Sequence, residues 1–221
     1  MMKRRDFSAT LGLSVLGAGS LPGLALAQGA PVEGKQYLKL SQALPSTPGK
    51  IDVLEFFWYG CPHCFTFDPT IEAWSKQLPA DVNFRRVHVG FRANIKSHQK
   101  LFFALEAMGK EAEVHTAVFN AFQRDMPEDD KAVMALAGRL GLDMAKFTAA
   151  YNSFGVQTKC AQASKLSEEY RIDGVPAIGI AGRYLTSPSI AGVRGAGEIV
   201  NGQQALAVTD YLIKLARSSK G

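Results

Sequence analysis

The chain has 221 residues, 47% hydrophobic and 20% charged, with a formal net charge of +5. That suits one globular unit, or one domain carrying an insertion, with bulk enough for a proper core. The charge is mild and no Lys/Arg-rich run interleaved with aromatics follows the leader, which argues against a nucleic-acid partner. Three cysteines cannot build a disulfide framework.

The N-terminus reads as a leader. Lys3, Arg4 and Arg5 form a basic head, Leu11 to Leu26 is apolar and glycine-rich, and Ala25-Leu26-Ala27 is the small-x-small pattern of a cleavage site. Residues 1–27 are therefore expected to be a cleaved signal peptide. The stretch is too short and too broken by Gly and Pro for a transmembrane helix. Lys-Arg-Arg-Asp-Phe at 3–7 also resembles a twin-arginine export signal, and a general secretory signal with an adjacent Arg pair is the other reading. Cleavage takes three basic residues and one acid, and the formal charge falls from +5 to +3. An exported chain lives where disulfides can persist.

Residues 28–50, rich in Gly, Pro and Ser, read as an entry arm. Ile51–Trp58 is a mostly apolar run, suited to a strand buried on both faces. Cys64, Phe67, Ile71, Trp74 and Leu78 then recur at spacings of three and four, one face of a helix that Pro69 should kink and Pro79 should stop. Val82–Val89 reads as a second strand. A long block without strand signals follows: helices over Ser97–Met108, Glu111–Gln123, one from Asp129 to Gly141, one capped by Asp143, and Val156–Arg171. Phe102, Phe103, Phe119 and Phe122 fall at helical spacing and read as core. Strand signals return at Pro176–Ile180 and Arg183–Thr186, joined by Ala181-Gly182 where Asn-Gly would be expected, and Gln203–Ala216 closes the chain as a helix. The simplest arrangement is one α/β domain split by an all-helical insertion, whose two halves pair to complete the sheet.

The chemistry concentrates at Cys61-Pro62-His63-Cys64. With a helix starting near Cys61, residues three apart face each other at ~5–6 Å between Cβ atoms. A disulfide needs ~3.5–4.5 Å, which a first-turn adjustment supplies. Pro62 suits the first helical position, where its missing N–H costs nothing. Cys61 then sits at the cap, beside unpaired N–H groups and the positive end of the helix dipole, which stabilise a thiolate. A protonated His63 adds to that. Cys61 is expected to be the exposed sulfur of depressed pKa and Cys64, on the apolar stripe, the buried resolving one. Zinc sites share the Cys-x-x-Cys spacing but add a second Cys or His pair, a spacing that His88, His98 and His115 lack, so no metal is expected. Covalent haem needs His after Cys64, where Phe65 stands. A permanent structural bridge leaves the strand-to-helix placement and the Pro-His pair unexplained.

At this point the sequence resembles the DsbA family, the periplasmic thiol:disulfide oxidoreductases of thioredoxin fold. The resemblance rests on Glu55-Phe56-Phe57 before Cys61-Pro62-His63-Cys64, on Gly174-Val175-Pro176-Ala177, and on the helical block between. It covers nearly all of the mature chain. It implies a thioredoxin-like domain over 28–94 and 172–221 with a helical domain over 95–171. It also implies that Val175-Pro176 is a cis-proline loop bordering a substrate groove, and that Glu55 is a buried acid beneath the active site, able to exchange protons with Cys64. On the residues alone, Pro176 opens a strand and Glu55 could equally be a solvated edge carboxylate. The expected activity is donation of the Cys61–Cys64 disulfide to newly exported proteins in the periplasm, by a monomer without cofactor. The resemblance also implies reoxidation by a membrane quinone-linked oxidase of the DsbB type. A reductase or isomerase on the same scaffold is the runner-up, and a metal- or peptide-binding module the non-enzymatic alternative. Cys160 falls on a helix face with Val156, Ala163, Leu166 and Tyr170 and reads as a small core residue, with a regulatory thiol the alternative.

Overall fold

A computed structural model of the chain describes residues 29–219; the leader expected at 1–27 lies outside the described residues. Among the described residues, five strands form one mixed sheet: β1 (Leu38–Lys39), β2 (Ile51–Phe57), β3 (Val82–His88), β4 (Ala177–Ile180) and β5 (Tyr184–Thr186). Their spatial order is β1-β5-β4-β2-β3. β2 and β3 run parallel, with Ile51 opposite Val82 and Phe57 opposite His88, and the other pairings are antiparallel. Thus the two ends of the chain meet on β2: β3 is local to it, and β4 arrives from more than a hundred residues downstream.

Every residue of β2 is buried, as its unbroken apolar run predicts. One cluster packs Val53, Ile178 and Ile180 of the sheet against Phe67 and Ile71 of α1 (Pro62–Ser75) and Leu212 of α8 (Glu198–Ser218). The other packs Leu54, Phe56 and Phe57 against helices that lie between β3 and β4 in sequence. These are α2 (Lys96–Ala107), α3 (Glu111–Arg124), α4 (Asp130–Arg139), α5 (Met144–Tyr151) and α6 (Phe154–Glu169). Phe102, Phe103, Phe119 and Phe122 are all buried there. Asp129 and Asp143 cap α4 and α5 through backbone N–H groups of Ala132 and of Ala145 and Lys146. Ser153 caps α6 and sets its start at Phe154, two residues before the expected Val156.

Three elements depart from expectation. β1 lies within the entry arm, where no strand was expected; it is two residues long and pairs with β5, Leu38 opposite Leu185. A short helix, α7 (Pro188–Ala191), was not expected. α8 starts at Glu198 rather than Gln203. The glycine at 202 conceals that first turn, because a Gly interrupts a helical pattern. Its reason is packing: a Cβ there would lie 2.8 Å from the Phe67 ring, so Gly202 lets α8 close on α1.

The β4–β5 turn has left-handed backbone at both central residues, Ala181 (φ 55°) and Gly182 (φ 64°). This is the mirror-type turn that favours Asn-Gly. Ala181 accepts roughly 1–2 kcal/mol of left-handed strain, offset by two buried bonds: Ala181 N donates to Asp52 O at 2.8 Å and Gly182 N to the Tyr170 hydroxyl at 3.0 Å. Tyr170 packs against β4, and a Cβ at Gly179 would come within 2.4 Å of its ring. Gly179→Ala is therefore predicted to lower unfolding stability by about 1–3 kcal/mol in urea titration; an unchanged midpoint would show that Tyr170 is free to move.

Candidate active site at the first turn of a helix

The turn after β2 delivers Cys61 to the N-cap of α1 with extended backbone (φ −86°, ψ 116°), and Pro62 is the first helical residue. The Cys61 sulfur accepts from the backbone N–H of Cys64 at 3.4 Å. Its pKa falls from the ordinary value to about 6. A hydrogen bond from the Cys64 thiol contributes most; backbone N–H groups of Cys64 and His63 and the His63 charge add to it, and burial opposes them. Cys64 is fully buried, and burial, then the bond to Cys61, push its thiol well above the ordinary range. The pair is thus asymmetric in the expected direction. The expected exposure of Cys61 is corrected: only 7% of it is accessible. The cause is the segment above it, since the Val175 carbonyl lies 3.3 Å from the Cys61 sulfur and accepts from it when that sulfur is a thiol.

Val175-Pro176 is a cis peptide bond immediately before β4. It borders a groove of about 460 Å³ whose walls include Leu38, His63, Val175, Pro176, Ile190 and Glu198. His63 stands at its rim, with Nδ1 2.9 Å from Glu198 Oε1. More than half of each side chain is exposed, so this pair contributes no more than about 1 kcal/mol.

Glu55 is 1% exposed on β2. It is a buried acid, not an edge carboxylate, and it lies directly opposite Arg86 in the β2–β3 register. Arg86 Nε donates to Glu55 Oε2 at 3.1 Å, while Nη2 reaches Asp68 Oδ1 at 3.4 Å and Glu72 Oε2 at 2.7 Å on α1. Burial raises the Glu55 pKa and outweighs the lowering by Arg86. Arg86, Asp68, Glu72 and Glu198 escaped the sequence reading. The one available signal was Asp68 at i+7 from Cys61, two turns down the same helix.

The turn itself is tied to the helical block. Trp58 Nε1 donates to His98 Nδ1 at 3.0 Å, and Gln123 Nε2 donates to Tyr59 O at 3.0 Å. A Cβ at Gly60 would meet the Trp58 ring at 2.4 Å, which explains the glycine. Cys160 is half-buried against the core, its thiol raised to about 11 by burial, and it lines a separate hollow with Lys96, Lys100 and Lys165. Among the described residues, no group of three His, Cys, Asp or Glu is arranged to hold a metal ion, and no helix is long and apolar enough to cross a membrane.

The model of the DSBA-like thioredoxin domain matches residues 52–207. The chain belongs to that family. It is 41% identical over 220 residues to the thiol:disulfide interchange protein DsbA of Bordetella pertussis, covering 98% of this chain and 100% of that one. With the protein of the same name from Burkholderia cepacia it shares 39% over 212 residues, 93% and 96% of the two chains. The crystal structure of Pseudomonas aeruginosa DsbA superimposes with a TM-score of 0.77 at 38% identity, over 85% of this chain and 95% of that one. Thioredoxin fold and thiol:disulfide interchange are thereby the fold and the chemistry of this chain.

A depressed Cys61 pKa has a direct readout. Alkylation of the reduced protein by iodoacetamide is predicted to show its half-maximal rate near pH 6. Because the folded pKa lies below the unfolded one, the Cys61 thiolate stabilises the reduced fold fully above about pH 9, and that contribution is lost as pH falls through about 6. Cys61→Ala should flatten this part of the reduced protein's stability profile; a wild-type profile equally flat between pH 9 and 6 would contradict the shift.

Proposed function

We propose that this chain is a periplasmic protein oxidant that donates the Cys61–Cys64 disulfide to newly exported proteins. The observation that carries the direction is the asymmetry of the two sulfurs at the helix start: the attacked sulfur is held as an anion and its partner as a neutral, buried thiol. Stabilising the thiolate favours the reduced pair over the disulfide, which makes the oxidised form a disulfide donor.

The steps follow from position. A substrate thiolate attacks Cys61 Sγ, the Cys61–Cys64 bond breaks, and Cys64 leaves with the electron pair. Cys64 then needs one proton. Glu55, buried and of raised pKa, is the group we assign to deliver it, becoming a carboxylate that Arg86 stabilises. A second substrate thiol, as its thiolate, attacks the substrate sulfur of the mixed disulfide and expels Cys61 as a stabilised thiolate. The substrate has lost two electrons and the enzyme has gained them. His63 favours the Cys61 anion, and Pro62 opens the helix at the required residue. The groove beside Val175 and Pro176 is assigned to an extended substrate segment. Reoxidation is assigned to a membrane quinone-linked oxidase of the DsbB type, and the enzyme is read as a monomer without cofactor.

Equilibration with glutathione tests the direction. The pair is predicted to remain reduced at ratios of oxidised to reduced glutathione where an ordinary protein dithiol is oxidised. Cys61→Ser should abolish the exchange, and Cys64→Ser should accumulate a mixed disulfide on Cys61. A pair that reduces glutathione disulfide to completion would make the chain a reductase instead.

A further inference from the structure

His115, on α3, lies beneath the active-site turn and makes contacts that the exchange steps above leave unused. It is 5% exposed. Nε2 is 3.0 Å from Asp68 Oδ1 on α1. Nδ1 is 2.9 Å from the Tyr59 hydroxyl and 2.8 Å from Glu111 Oε1. Tyr59 is two residues before Cys61. The Glu111 contact lies off the hydrogen-bond direction, so Glu111 Oε1 is a buried acceptor without a hydrogen-bonded partner. Arg86 Nη1 is the next cation to it, at 3.8 Å.

Each ring nitrogen therefore faces an acidic oxygen from a different helix. A carboxylate accepts hydrogen bonds and offers none. A bare Nδ1 can accept from the Tyr59 hydroxyl at 2.9 Å, but it leaves the Glu111 oxygen 2.8 Å away with no positive charge beside it. Protons on both nitrogens place a positive charge between the Asp68 and Glu111 oxygens and give the buried acids a second cation beside Arg86. The surrounding groups are Asp68 and Glu72 on α1, Glu55 on β2, Arg86 and His88 on β3, Tyr59 in the turn and Glu111 on α3 itself. His88 is neutral, since burial drives its pKa down to about 3. Burial alone would lower His115 as well, but Asp68 and Glu111 outweigh it and raise its pKa.

We propose that His115 is a positioning residue for disulfide exchange: an imidazolium clamped between Asp68 and Glu111 that sets how tightly Glu55 holds the proton exchanged with Cys64. The inference rests on the reading of Glu55 as the proton partner of Cys64. The link runs through charge, since His115 lowers and Asp68 raises the proton affinity of Glu55, and Glu55 in turn acts on Cys64. With His115 neutral, Asp68 keeps Arg86 but loses the nearer of its two compensating charges, and Glu55 loses a cation. Both changes tighten Glu55's hold on its proton. When Cys61 carries a mixed disulfide and Cys64 closes the ring, the Cys64 thiol gives its proton to the Glu55 carboxylate. The Cys64 sulfur then bonds to Cys61 Sγ and the outer thiolate leaves. That step needs Glu55 ionised.

Two measurements test this. Long-range ¹H–¹⁵N spectra of the wild-type protein at pH 7 should show both His115 ring nitrogens protonated; one bare nitrogen overturns the proposal whether or not variants fold. Ring closure of a glutathione mixed disulfide on Cys61, followed against pH, should show an acid limb that His115→Asn moves upward by about half a pH unit or more. An unmoved limb in folded His115→Asn overturns it. Glu55→Gln should abolish that limb in the wild-type background. If Glu55→Gln leaves the limb in place, the assignment of Glu55 fails and the coupling proposal with it, whereas the charge on His115 is still read from its own nitrogens.

Discussion

The first turn of α1 must present free backbone N–H groups to one sulfur while enclosing another in the core. A helix start is the place where this geometry arises without added components, because its first N–H groups have no partner within the helix. Cys61 is the cap, its sulfur facing the Cys64 N–H, and Cys64 lies within the first turn with its side chain in the core, so three residues of chain separate two chemical environments. Several influences act on Cys61, and their order matters. Direct hydrogen bonds from Cys64 and from the backbone come before the His63 charge. His63 is largely exposed and already faces Glu198, so solvent and a counter-charge both weaken its field. The fold therefore contributes more to the thiolate than the dipeptide's own charge does.

What could be read in advance follows from chemical locality. The cap, the Pro at the first helical position and the apolar stripe through Cys64 are set by neighbours a few residues away, and the fully buried β2 follows from its own composition. Phe102, Phe103, Phe119 and Phe122 were placed in the core by spacing alone. Glu55 against Arg86 was not legible, since nothing local specifies that Glu55 pairs with residue 86 rather than 85; the parallel register decides it. Cys61 was expected to be exposed because the residue that roofs it, Val175, is 114 positions away. β1 has almost no signal of its own, and Gly202 hid the first turn of α8 by serving a contact with Phe67.

The helices between β3 and β4 supply more than bulk. They cover Leu54 and Phe56 on one face of β2 and Phe57 at its end, so these residues have no separate core of their own. The rings of Phe57 and Tyr59 pack on Phe102 and Phe119, with Tyr59 and Phe119 centroids 4.9 Å apart in an edge-on contact. The segment carrying the reactive cysteine is thus fixed to α2 and α3 both by aromatic contacts and by hydrogen bonds to His98 and Gln123. A sulfur held this way reaches its hydrogen-bond donors without a search, which is the condition for a depressed pKa to persist.

The charged cluster below the turn follows from the same packing. Arg86 is 10% exposed, and removing one partner of a buried ion pair typically costs 3–5 kcal/mol, against at most about 1 for a pair such as His63–Glu198 at the rim. The cluster is therefore costly to disturb, and a fold seeking stability alone would do as well with apolar side chains there. Its retention makes sense if the charge balance is used. Glu55 is the least solvated acid of the set, and the asymmetric pair of sulfurs makes Cys64 the one that must gain a proton on each reduction and lose it on each oxidation. Water cannot supply that proton directly to a fully buried sulfur. An acid of raised pKa, kept in place by a cation that welcomes its ionised form, can serve both directions of the cycle without opening the core.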